Sequence, residues 1–94
     1  MFIPLIIKGG PIIINITNRN EIFLKNKLKT LNDLKIEIQS LLAFSKTSPV
    51  IVRADKSVVF DRVVQVLDVV KNVGVERLGI AIEEKPSLPH PNPQ

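Results

Sequence analysis

The stretch from Pro49 to Ile82 limits the fold of this chain more than any other part of its sequence. Val50-Ile51-Val52 shows no polar alternation, which predicts a strand covered on both faces. Beyond the charged cluster Arg53-Ala54-Asp55-Lys56, the residues Val59, Val63, Val66, Leu67, Val70 and Val73 share one face of a helix, with Asp61, Gln65, Asp68 and Asn72 opposite. Valine lowers helix propensity because its branched side chain is restricted at χ1, but a stripe this regular outweighs that preference. Ser57 is placed to cap the helix, and Gly74 to end it in a left-handed conformation. Leu78, Ile80 and Ile82 then alternate with Gly79 and Ala81 as a last strand. Two strands joined by such a helix are expected to lie parallel, with a right-handed crossover.

The first half supplies the remaining layers. Ile12-Ile13-Ile14-Asn15-Ile16-Thr17 is β-branched but for one Asn, and Asn18-Arg19-Asn20 follows with turn chemistry. Next, Ile22 and Leu24 alternate against Glu21, Phe23 and Lys25, so the two segments read as a β-hairpin. Thr30, with Asp33 three residues on, marks a helix start. Leu31, Leu34, Ile38, Leu41 and Leu42 recur at helical spacing, which predicts a helix from Leu31 to Phe44, broken by Ser45 to Pro49. The expected fold is therefore α+β, in the order β-β-α-β-α-β, with a mixed four-stranded sheet and both helices on one face.

A chain of 94 residues suits one domain. The organisation expected is a domain over 11–84 and a Pro-rich extended tail over 85–94, where four prolines fall in ten residues.

Several chemistries find no support. The one histidine, His90, sits in the tail, so a nucleophile–histidine triad has no base on the folded part. There are no cysteines, hence no disulfide framework and no thiolate metal site. Gly9-Gly10 and Gly74 match neither phosphate-binding glycine pattern, so no cofactor is indicated. Asp55 follows a buried strand, where a phosphoacceptor aspartate would stand, but no acidic pair accompanies it to hold a divalent metal. The net charge of +4 admits an anionic partner, yet the basic residues are scattered apart from Lys25, Lys27 and Lys29 and the pair Arg53 and Lys56. Four Phe with no Trp or Tyr offer little for stacking on nucleic-acid bases.

What remains is surface for interaction. Arg53, Asp55 and Lys56 join a strand to a helix, with Asp55 or Ser57 accepting from the free N–H groups of the helix start. Ile36 falls on the polar side of the first helix and Phe23 on the polar face of its strand; each is either a scattered exposed apolar residue or part of a partner contact. Ile12 and Ile14 in the first strand, with Gly79 and Ala81 in the last, are candidates for edge-strand pairing or dimerisation.

Arg53-Ala54-Asp55-Lys56, followed by Val63, Val66-Leu67-Asp68 and Gly74, resembles the periplasmic domain of the ExbD/TolR family, whose pattern is R-A-D-[KR], then V-x-x-V-[ML]-D, then Gly and a last strand. Ile22 to Leu24 resembles the family's hairpin strand, and the likeness covers roughly Pro11 to Glu83. Phe60-Asp61 departs from the family's usual Tyr-Gly, so any contact of that tyrosine hydroxyl is lost.

The resemblance implies a non-enzymatic subunit of a proton-motive-force motor at the periplasmic face of the inner membrane. It also implies a membrane helix that this chain lacks, with Phe2 to Ile7 and the rest of 1–10 as linker remnant. The implied partners are a second copy, an ExbB/TolQ-like membrane subunit, a TonB-like or Tol-system peptide, and peptidoglycan, with no nucleic acid. The competing reading is a small ligand- or nucleic-acid-binding module that uses the basic surface.

Overall fold

The computed structural model describes residues 10–83. Residues 1–9 of the expected 1–10 linker, and the Pro-rich tail, lie outside those residues. Five strands and two helices follow one another: β1 (Ile12–Ile16), β2 (Ile22–Leu24), β3 (Lys27–Lys29), α1 (Leu31–Phe44), β4 (Val50–Asp55), α2 (Phe60–Val73) and β5 (Leu78–Glu83). The sheet order is β3-β2-β1-β4-β5. The architecture is α+β with a mixed sheet, as the periodicities predict.

The four-strand expectation is corrected by one. β3 pairs antiparallel with β2, Leu24 opposite Lys27, across a two-residue turn. Lys25 and Asn26 both take positive φ there, 56° and 64°, as the tight hairpin turn whose twist matches its strands requires. Two lysines around one leucine do not announce a strand by composition. Instead, β3 is held by the β2 ladder and by Lys29, which reaches Glu37 of α1 at 2.6 Å.

The strand–helix–strand unit is formed as predicted: β4 and β5 lie parallel, Val50 beside Leu78 and Asp55 beside Glu83. β1 is parallel to β4 and antiparallel to β2. One face of the sheet carries Ile12, Ile14, Ile16, Ile22, Leu24, Val50, Val52 and Ala54, all buried. Leu34, Ile38 and Leu42 of α1, with Val63, Val66 and Val70 of α2, complete that core, and the two helices pack on each other. Leu41, in the same helical row, is only partly buried against it.

The other face of the sheet has no helix over it among the described residues. β4 was expected to be covered on both sides, yet Ile51, Arg53 and Asp55 are only half-buried there. Three apolar residues in a row are too short a run to separate double burial from a strand covered on one face; on the other face Ile51 lies beside Gly79, where an added Cβ would stand 3.8 Å from Ile51 Cγ1.

Candidate partner-binding surface

The residues singled out from the sequence fall on different parts of this scaffold. β1 is an interior strand with a neighbour on each side. Ile12 and Ile14 are therefore core residues and offer no open edge, which corrects that part of the pairing expectation. The physical reason is the parallel ladder from Ile12–Val50 to Ile16–Ala54, which uses the β1 edge that a simple hairpin would leave free. Gly79 and Ala81 do lie on an edge strand, half-buried on the helix-free face. Phe23 stands on the same face, opposite Asn15 and Leu28. Ile36 is 55% exposed on α1, beside Lys29, Asp33 and Glu37 at the far edge of the sheet. Phe23 stands in one row across the sheet with Asn15, Arg53 and Ala81 on the helix-free face, two strands from Arg53, whereas Ile36 lies apart from that row on α1.

The charged cluster is built as a joint. Arg53 Nη2 donates to Glu83 Oε1 at 2.9 Å across the β4–β5 pair, and that hydrogen bond, helped by the carboxylate charge, raises the guanidinium pKa further. Asp55 Oδ2 accepts from the Ser57 N–H at 2.9 Å and from the Ser57 hydroxyl, so the aspartate closes a local turn rather than capping the helix. Lys56 donates its backbone N–H to the Glu83 carbonyl.

Ser57 does not cap α2 either: the helix opens at Phe60 with Val59 in the cap position, and Val59 has no side-chain cap to give. Its N–H goes instead to Asn20 Oδ1, 3.0 Å away in the β1–β2 turn. The Asn20 carbonyl in turn accepts from Arg62 Nε at 2.9 Å. Asn20 takes φ +63° to make both contacts. In a capping box, an acidic or amide side chain three residues into the helix accepts from the cap N–H. Here that position is Arg62, a donor only, and an Asn from another hairpin fills the role. The sequence signal was the turn triplet Asn18-Arg19-Asn20, which shows the turn without showing what it touches.

At the opposite edge, Glu37 accepts from Lys29 at 2.6 Å and lies 3.9 Å from Lys25. The Lys29 hydrogen bond holds its carboxyl below the ordinary value against the cost of burial, with added attraction from Lys29, Lys25 and Lys27. Most of the clustered basic charge is thus internally engaged.

The two sheet edges differ sharply. β3 is three residues long with Lys27 and Lys29 on it, the kind of short, charged edge that resists pairing. β5 runs six residues as Leu-Gly-Ile-Ala-Ile-Glu, with no Pro and no Lys. Its helix-side row, Leu78, Ile80 and Ile82, is 36%, 51% and 59% exposed because α2 lies over β4 and stops short of the edge. α2 returns from the carboxyl end of β4 to the start of β5, so it runs antiparallel to both and its first turn stands at the Ile82 end. Val59, Phe60 and Val64 are exposed on that stretch. Leu78, Ile80 and Ile82 are thus three of the nine exposed large hydrophobic residues among those described, in one continuous row along the β5 edge, and such a row marks a contact surface.

A concavity of about 580 Å³ opens where β1 begins, between Pro11, Leu24, Leu41 and Phe44. Among the described residues its charged lining groups are Lys25 and Arg53, both cations.

No curated protein matches the chain. Residues 7–85 match the family profile described as biopolymer transport protein ExbD/TolR, which takes in all five strands, both helices, the Arg53–Lys56 joint and the open β5 edge. With most of its length inside that match, the chain belongs to the ExbD/TolR family of biopolymer transport proteins.

Proposed function

We propose that residues 10–83 form the periplasmic domain of a motor subunit that couples proton-motive force to outer-membrane transport or envelope integrity. The domain binds and does not catalyse. It acts as a homodimer, anchored at the periplasmic face of the bacterial inner membrane by an N-terminal helix and working beside an ExbB/TolQ-like membrane subunit. Its partner is an extended TonB-like or Tol-system peptide, with peptidoglycan as a further candidate. Among the described residues no helix is long and apolar enough to cross a membrane, so the anchor belongs to sequence outside them.

The observation that carries this reading is the family match over 7–85, joined to a six-residue edge strand that has no second neighbour among the described residues. An edge of this kind carries free N–H and C=O groups that an added strand satisfies with little dependence on its side chains. A basic surface for nucleic acid is poorly supported, since Lys25, Lys29 and Arg53 are engaged by Glu37 and Glu83, and Arg62 by Asn20 and Gln65.

The test is a chimera in which residues 10–83 replace the periplasmic domain of an ExbD subunit, in cells lacking their own copy. Restored energy-dependent uptake that is lost with Ile80→Asp supports the reading. A well-expressed, membrane-inserted chimera with no activity for either the TonB or the Tol system contradicts it.

A further inference from the structure

We infer that the end of the domain at which β1 begins is a docking face for an anionic lipid bilayer. The inference rests on the anchored reading above, which sets the bilayer on the N-terminal side of Gly10, and adds a second, reversible contact with the same membrane.

The topology collects at one end charges that are scattered in the sequence. β1, β4 and β5 are parallel, so Ile12, Val50 and Leu78 start side by side. β2 returns to that end, where Lys25 and Asn26 turn into β3. Both helices also finish there: Phe44 lines a concavity with Pro11 and Ile12, and Lys46 lines another with Gly74 and Glu76. Lys25, Lys27, Lys46, Lys71 and Arg77 therefore share the end at which the described chain begins, and all five are exposed.

Little acid offsets them. Glu76 stands at the same end, and Asp68 lies one turn before Lys71 on α2. Among the described residues Lys27, Lys46, Lys71 and Arg77 enter no ion pair, and Lys25 only approaches Glu37 at 3.9 Å, which Lys29 holds more closely. The other described cations, Arg19, Lys29, Lys35, Arg53, Lys56 and Arg62, are outnumbered by the acids around them. The positive excess of the domain is thus concentrated at one end.

Distance keeps the two ends electrostatically separate. Each helix has 14 residues and so is about 21 Å long, whereas charge is screened over about 8 Å at physiological salt. A surface touching the Phe44 end feels its five cations and not the acids at the opposite end, such as Asp33, Asp55 and Asp61.

Phe44 selects a bilayer among anionic partners. It closes α1 at this end and is 89% exposed, the most of any large hydrophobic residue described. A charged carbohydrate polymer offers no apolar medium for that ring, whereas a bilayer interface offers charge and acyl chains together. Each basic residue near an anionic membrane strengthens binding about fivefold. A covalent anchor raises the local concentration further, so a contact that is weak for the free domain is occupied in the cell. Docked this way, the strands rise from the membrane and the β5 edge stands open along its length.

The chain has no Trp and no Tyr, so one introduced Trp reports its own surroundings. Phe44→Trp and Phe60→Trp place it at opposite ends, on sites 89% and 74% exposed where a larger ring displaces no packing. With the whole chain and vesicles of mixed phosphatidylglycerol and phosphatidylcholine, emission from Phe44→Trp is expected to shift to the blue, and emission from Phe60→Trp to stay unchanged. Because Phe2 to Ile7 are apolar enough to favour bilayers of any charge, the variants below are compared within the same chain. Lys46→Ala combined with Lys71→Ala is expected to weaken co-sedimentation with the anionic vesicles at least about tenfold. Arg19→Ala combined with Lys35→Ala removes the same charge elsewhere and should change it less than about twofold. Equal weakening by both pairs would reduce the effect to net charge and overturn the docking face. So would equal binding to vesicles of phosphatidylcholine alone, a blue shift at Phe60→Trp, or no vesicle binding by a chain that circular dichroism shows folded. Failure here with an active chimera would sink the docking face and leave the motor reading standing; docking with an inactive chimera would do the reverse.

Discussion

Asn20 joins the β1–β2 turn to the start of α2, and replacing it separates two energies that the fold combines there. Its amide oxygen accepts from the Val59 N–H at 3.0 Å, a bond worth about 1 kcal/mol net. Its backbone stands at φ +63°, where a side chain with a Cβ and no local hydrogen bond costs roughly 1 to 2 kcal/mol. Asn20→Ala loses the acceptor and keeps the strain, and is expected to lower stability by about 2 to 3 kcal/mol. Asn20→Gly loses the acceptor but removes the strain, so the loss should be about 1 kcal/mol or less. Asn20→Asp keeps an acceptor and sets a negative charge at a helix start, so it should be near neutral or stabilising at pH 7. The expected order is Asp at or above wild type, then Gly, then Ala. Urea unfolding followed by circular dichroism measures it, with the slope against denaturant unchanged if only the native state is affected. An Asp variant as unstable as the Ala variant would refute the capping role, and a Gly variant no better than Ala would refute the strain.

The remaining expectations concern the core and the two charged sites. Val66 is fully buried between α2 and the sheet, and Val66→Ala should cost about 1 to 3 kcal/mol in urea unfolding; a loss under half a kcal/mol would mean the site closes up. Asp55→Ala opens the turn held by the Ser57 N–H and hydroxyl and should cost about 1 kcal/mol with the fold retained. Glu37 has an ordinary carboxyl value of 4.5 that Lys29 lowers in the fold, so its contribution is present above about pH 4.5 and fades as pH falls through the lowered value. The melting-temperature gap between wild type and Glu37→Gln should therefore be open at pH 7 and narrow as pH falls below about 4.5; a gap independent of pH would exclude the ion pair as its source.

Much of this fold is written locally, and what is not depends on contacts between distant segments. Thr30 caps α1 by accepting from the Asp33 N–H at 3.0 Å, and the helix spans Leu31–Phe44 as its spacing indicates. Gly74 closes α2 at φ 98°. Both signals lie within a few residues of what they control. β3 escaped because its residues carry no strand preference, although Asn26 in a two-residue turn was a trace of it. The interior position of β1 was half legible: Ile12-Ile13-Ile14 is a continuous β-branched run, which suits a strand flanked on both sides better than an edge. The Asn20 contact with α2 spans 39 residues of sequence and leaves no local mark. Likewise, Arg53 was legible as a charged residue in a joint, but its Glu83 partner is fixed only by the β4–β5 register.

The account turns on the outward face of β5, and amide hydrogen exchange reads that face directly. The N–H groups of Leu78, Ile80 and Ile82 point out of the open edge, while those of Gly79 and Ala81 bond within the sheet. In dilute protein the first three should exchange quickly and the other two slowly. Raising the concentration should slow exchange at Leu78, Ile80 and Ile82 together, leaving the β3 amides unchanged. Protection that rises instead along Lys27–Lys29, or on the helix surface around Ile36, with β5 unaffected, would contradict the edge on which the proposed function depends.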